Sequence, residues 1–119
     1  MPAAALALTG RAGLIHPDEI DATFAPIAGA WVTAVELDGE SVLYDETTGG
    51  LHLLDALATV VWDRLDGTAT LDELAVDLGQ TFAADPGRVR VDLVTFVRQL
   101  GRRHLLEAVA PPLDEDDDG

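Results

Sequence analysis

The sequence predicts an α+β domain in which a three-stranded antiparallel sheet is followed by three helices. The first observation behind this is periodicity: apolar residues recur with period two up to Leu54 and with period 3.6 beyond it. The second is punctuation. Turn signals stand at Asp38-Gly39 and Thr47–Gly50 before the switch, and helix caps at Asp55, Thr70 and Asp85 after it. The third is size, because 119 residues suffice for one domain with tails and not for two.

The elements follow in order. Residues 1–28 read as a loosely ordered lead-in, Ala/Leu-rich as far as Leu8 and then polar and proline-bounded from His16 to Pro26. Met1 to Leu8 carries no basic head, so the segment does not read as a secretory signal. The run from Ala30 to Leu37 is rich in β-formers and predicts a first strand near 31–37. Asp38-Gly39 suits the two central positions of a tight hairpin turn, and Glu40 to Asp45 supplies the returning strand, near 41–45. After the Thr47–Gly50 turn, a short third strand is expected near 50–54.

Leu54, Leu57, Ala58, Val61 and Leu65 then share one helical face, with Asp55 as N-cap and Gly67 as stop, predicting a helix near 55–66. Thr70 and Glu73 have capping-box spacing and open a second helix, near 71–83. Asp85-Pro86 places a cap before a proline at the first helical position and opens a third, near 86–101. A short strand around Leu105-Leu106 is expected to complete a domain spanning 29–109. Residues 110–119 carry two prolines and then five acids, which reads as a disordered, solvated tail. Deleting 114–119 should leave the melting temperature almost unchanged.

Composition narrows the function classes. Hydrophobic residues make up 48% of the chain, enough for an ordinary core, yet no apolar run approaches the roughly 20 residues of a membrane helix. Cysteine is absent, which removes disulfides and thiolate chemistry. The expectation is an acidic, soluble, cytoplasmic domain. Its 22 acids outnumber 7 cations, all of them Arg, giving a net charge of −15. The cations are concentrated: Arg88, Arg90, Arg98, Arg102 and Arg103 face only Asp92 within residues 88–103, a local charge of +4 against −19 elsewhere. Such a helix fits an acidic ligand, or else internal ion pairs along a solvated face.

A wheel of that third helix puts Val89, Leu93, Phe96, Val97 and Leu100 on one stripe, the core side. Val91 and Val94 fall opposite, beside Thr95, Arg98 and Arg102. Two readings stay open: ordinary exposed valines, or a groove with an arginine rim.

Catalytic and cofactor chemistry finds no support, and neither a metal nor a cofactor is expected. His16, His52 and His104 lie in separate segments without paired ligand spacing, and the lone serine, Ser41, sits mid-strand without a nucleophile elbow. No phosphate-cradling Gly-Lys-Ser/Thr can exist in a chain without Lys. His52 in a strand reads as a packed or edge histidine, and Trp62 as core or interface packing.

One constellation is more specific. Gly50-Leu51-His52-Leu53-Leu54-Asp55, Ala58, Val61-Trp62 and Leu65-Asp66-Gly67-Thr68 resemble the pyrroloquinoline quinone biosynthesis protein D family, the precursor-peptide recognition elements of ribosomal natural-product pathways. Leu71, Glu73-Leu74-Ala75, Leu78, Val91-Asp92-Leu93, Phe96-Val97, Leu100 and Leu105-Leu106 continue the resemblance over roughly residues 30–107. Asp55 stands where the family usually has Asn, and either residue caps a helix. The segment Tyr44 to Leu54 is also similar to a branch found beside HPr-kinase-like proteins, and lasso-peptide versions share the frame.

The resemblance implies a winged helix-turn-helix fold and a non-catalytic role. It implies capture of the leader region of a precursor peptide and its presentation to a tailoring enzyme, a radical SAM protein in the original family. The residues themselves allow that mechanism. A third strand ending a meander is an edge strand, to which an extended peptide can add antiparallel. The expected peptide-binding set is Gly50, Leu51, His52 and Leu53 on the strand, with Val91, Val94, Thr95, Arg98 and Arg102 as groove wall. The rival expectation is a DNA-binding regulator using the Arg-rich third helix, opposed by the charge of −19 on the remainder of the chain.

Overall fold

In the computed structural model, which describes residues 14–110, β1 (Val32–Leu37), β2 (Glu40–Asp45) and β3 (Leu51–Leu54) form an antiparallel meander in the order β1-β2-β3. Three helices follow, α1 (Ala56–Trp62), α2 (Leu71–Thr81) and α3 (Pro86–Arg102), as the change of period predicts. Among the described residues no helix is long and apolar enough to cross a membrane.

Local chemistry sets each boundary. Asp38 and Gly39 both take positive φ, 55° and 85°, the conformation whose twist matches a two-residue hairpin. At the second turn Asp45 is only 1% exposed. Its carboxylate accepts from Thr47 Oγ1 at 2.6 Å and from the Thr47 and Thr48 amides at 2.8 and 3.3 Å. Asp55 caps α1 by accepting from the Ala58 amide at 2.8 Å. Thr70 and Glu73 form the capping box of α2, and Asp85 with Pro86 opens α3. Leu43 and Leu54 from the sheet, Val61 and Trp62 from α1, and Leu78, Val97 and Leu100 from the later helices meet in one core.

Three boundaries differ from expectation. β1 begins at Val32, because Trp31 stacks on His104 and donates from Nε1 to its carbonyl at 2.9 Å. α1 stops at Trp62, with Asp63 as its C-cap, well short of residue 66. Asp66 instead accepts from Thr68, and Gly67 takes φ 83°, where a Cβ would lie 2.9 Å from Ile27. Leu106 forms an isolated bridge with Ala28 rather than a strand.

The lead-in differs most. Pro17–Glu19 form a 3-10 turn, and Ile20 behind it is fully buried in the core. Ile15 bridges Val109 and Ile27 bridges Asp66, so residues 15–28 pack as part of the domain expected to begin at 29. The expected loose order of residues 1–13 and of the acidic tail from 111 lies outside the described residues.

Candidate functional site: the β3 edge and the α3 flank

β3 pairs with β2 alone, so its second edge has no strand partner among the described residues. The turn fixes which groups point there. Asp45 donates its amide to the Gly50 carbonyl at 2.9 Å, and alternation then makes Leu43↔His52 and Ser41↔Leu54 the hydrogen-bonded pairs. Leu51 and Leu53 therefore turn their main-chain N–H and C=O groups away from β2. Their side chains stand on the sheet face opposite the core, 66% and 81% exposed. Leu54 is buried on the other face, and His52 is half-buried beside it.

Beyond β3 the surface is apolar. A cleft of about 470 Å³ starts at Asp55, the residue after β3, and runs between the three helices. Leu57, Ala58 and Val61 of α1, Leu78 of α2, and Val89, Leu93 and Phe96 of α3 line it. Arg88 and Asp92 also line it and pair with each other at 4.0 Å. One helical turn past α3's Gln99, Arg103 Nη1 reaches within 3.4 Å of His52 Nδ1, so the side of α3 carrying Phe96 and Arg103 is the side turned toward β3.

The structure brings together only part of the expected set. Gly50, Leu51, His52 and Leu53 lie at the open edge. Val91, Val94, Thr95, Arg98 and Arg102 lie on the other flank of α3 and do not line the cleft. Arg98 donates from Nε to the Ile20 carbonyl at 2.9 Å, and Arg102 pairs with Asp18 at 2.5 Å. The Arg102 hydrogen bond holds the Asp18 carboxyl below its usual range. Thr95 bonds back to the Val91 carbonyl, and Val94 is half-buried against the core.

The helical wheel leaves that flank unpartnered because residues 15–28, which hold Arg98 and Arg102, read from sequence as lying outside the domain. Sequence reasoning places Arg103 only among the clustered cations, reads Phe96 and Val89 only as core, and reads Phe82, which also lines the cleft, only as part of the apolar face of the second helix. Phe96 and Arg103 sit seven residues apart, two helical turns on one face, and that spacing is the signal that links them.

Comparisons with known proteins identify the family. The family model described as Coenzyme PQQ synthesis protein D (PqqD) matches residues 40–106. The PqqA binding protein of Rhizobium meliloti (strain 1021) is 36% identical over 56 residues, covering 47% of this chain and 57% of that protein. Its counterpart in Xanthomonas campestris pv. campestris (strain B100) is 38% identical over 53 residues, covering 44% and 58%. The matches thus span less than two thirds of these relatives' lengths. Among solved structures, TbiB1 in complex with the TbiA(beta) leader peptide superposes with a TM-score of 0.64 at 28% identity, covering 71% of this chain and 98% of that one.

Proposed function

This chain belongs to the PqqD family, and from that membership we propose that it binds the leader region of a ribosomally made precursor peptide. In this reading the peptide adds as a further strand on β3 and is presented to a modifying enzyme that carries the chemistry. The chain's own role is non-catalytic. Relatives named as PqqA binding proteins, and a similar structure holding a leader peptide, support a peptide ligand.

The observation that carries the strand-addition reading is the orientation of Leu51 and Leu53. They offer two N–H and two C=O groups to a fourth strand, in the main-chain geometry an extended peptide needs. Each such hydrogen bond contributes about 0.5–1.5 kcal/mol net, so the edge supplies at most about 6 kcal/mol. Micromolar affinity requires about 8 kcal/mol. The remainder falls to side chains entering the surface between β3 and α3, where the cleft of Leu57, Val89 and Phe96 lies open.

The test separates main chain from side chain at one position. Leu53→Pro removes an outward N–H that β2 does not use, which an edge strand tolerates. Leu53→Ala keeps the N–H and removes the side chain. With labelled peptides tiling the short reading frames beside the gene, Leu53→Pro should weaken binding at least tenfold and Leu53→Ala much less. On peptide binding, the Leu51 and Leu53 amides should gain protection from hydrogen exchange. Equal affinities for both variants, with no added protection, would rule out addition at this edge.

A further inference from the structure

The arginines of the α3 region are not equivalent. Arg88 pairs with Asp92, Arg90 with Asp72 at 3.1 Å, and Arg102 with Asp18. Arg98 is tied to the Ile20 carbonyl, close enough to Asp18 and Asp21 to help lower their carboxyls. Outside this region Arg64 meets Asp77. Arg103 is different: among the described residues its guanidinium meets neither a carboxylate nor a main-chain carbonyl, and its neighbour is His52 Nδ1 at 3.4 Å. In a chain with 22 acids to 7 cations, a cation left without an acid stands out.

The chemistry of the pair indicates what it can take. A guanidinium only donates, so Nδ1 of His52 accepts and the ring proton sits on Nε2. Arg103 uses one of its N–H groups on the ring and keeps the others, in a planar fork that matches a carboxylate. The pair also stands where a ligand passes. His52 is on β3 between the two outward-facing residues, with its side chain on the α3 side of the sheet. A strand added along this edge turns alternate side chains to that same side, beside Arg103.

We propose that Arg103 and His52 form a carboxylate subsite of the peptide groove, so that the leader carries an Asp or Glu which docks there. The inference rests on the strand-addition reading and deepens it, converting a sequence-tolerant edge into one that reads an acid. A charge-assisted hydrogen bond in this position discriminates by about tenfold to a hundredfold between a carboxylate and its amide.

A displayed library of random twelve-residue peptides, selected on the full-length protein, tests this whatever the sequence of the leader. Selections run in parallel on wild type, Arg103→Gln and Arg90→Gln, the last removing the same charge from the flank facing α2. Wild type and Arg90→Gln should enrich peptides sharing an acid at one position, and Arg103→Gln should not. Changing that acid to its amide in a selected peptide should cost wild type at least tenfold in affinity and cost Arg103→Gln nothing further. Melting curves confirm that each variant is folded. Enriched peptides without an acid preference, or an amide change that costs both proteins equally, would overturn the subsite and leave strand addition standing. No enriched peptide on any of the three folded proteins would overturn both.

Discussion

At the scale of single residues, Asp45 matters most to the site, because its carboxylate builds the turn that fixes the phase of β3. The Thr47 hydroxyl bonded to that carboxylate holds its pKa below the usual range, and the Thr47 and Thr48 amides act the same way. Since the folded value is lower than the unfolded one, the unfolded chain takes up the proton first as pH falls. The contribution is therefore complete above the unfolded value, about 3.9, and is lost as pH drops through the folded value. Asp18, Asp21 and Asp66 are lowered as well, so acid should destabilise the whole domain. Asp45→Asn should melt lower than wild type at pH 7, with the gap closing as pH falls through the lowered folded value. Thermal melts across pH 2–7 read this directly, and a gap independent of pH would show that shape rather than charge holds the turn.

At the scale of elements, α3 presents two flanks with different duties. One packs on α2 and on the Pro17–Glu19 turn, through Arg90, Arg98 and Arg102. The other, with Phe96 and Arg103, faces the cleft and β3. A pair of substitutions tells which flank the peptide uses. Phe96→Ala should weaken peptide binding by about tenfold or more, the equivalent of 1.4 kcal/mol, and Val91→Asp, on a side chain already 60% exposed, should leave it unchanged. Fluorescence anisotropy with one labelled peptide measures both, and the reverse pattern would return the groove to the valine flank. The helix caps are separable from binding. Thr70→Ala removes the hydroxyl that accepts from the Glu73 amide at 3.1 Å and should cost about 0.5–2 kcal/mol of stability in denaturant melts.

At the scale of the molecule, the lead-in acts as a structural part of the domain. Ile20 fills the core beneath α3, and a Cβ at Gly101 would lie 3.3 Å from it and 3.4 Å from Pro17. Ile20→Ala should cost about 2–5 kcal/mol, the range for emptying a buried aliphatic site. Chemical denaturation would show it, and a loss below about 1 kcal/mol would mean that the segment merely drapes over the helix. The same packing bears on DNA. Three of the five arginines that suggest a recognition helix are engaged with Asp72, Ile20 and Asp18, and the chain carries a net charge of −15. Duplex DNA titrated at physiological salt should show no saturable binding, because phosphate contacts need free cations.

The sequence alone determined the meander, the three helices and the open third strand. Those features depend on local rules: alternation, a two-residue turn at Asp38-Gly39, and caps at Asp55, Thr70 and Asp85, each acting within a few residues. It also carried the family, through the run from Gly50 to Gly67. The tertiary structure decided which flank of α3 turns toward β3. A helical wheel shows that two apolar strips exist, but not that a segment some eighty residues earlier ties down the arginines beside one of them. Ile20, Asp18 and Arg98 meet only when the chain closes, and that closure leaves Phe96 and Arg103 facing the β3 side. Long-range contact, invisible to any local period, sorted the two flanks.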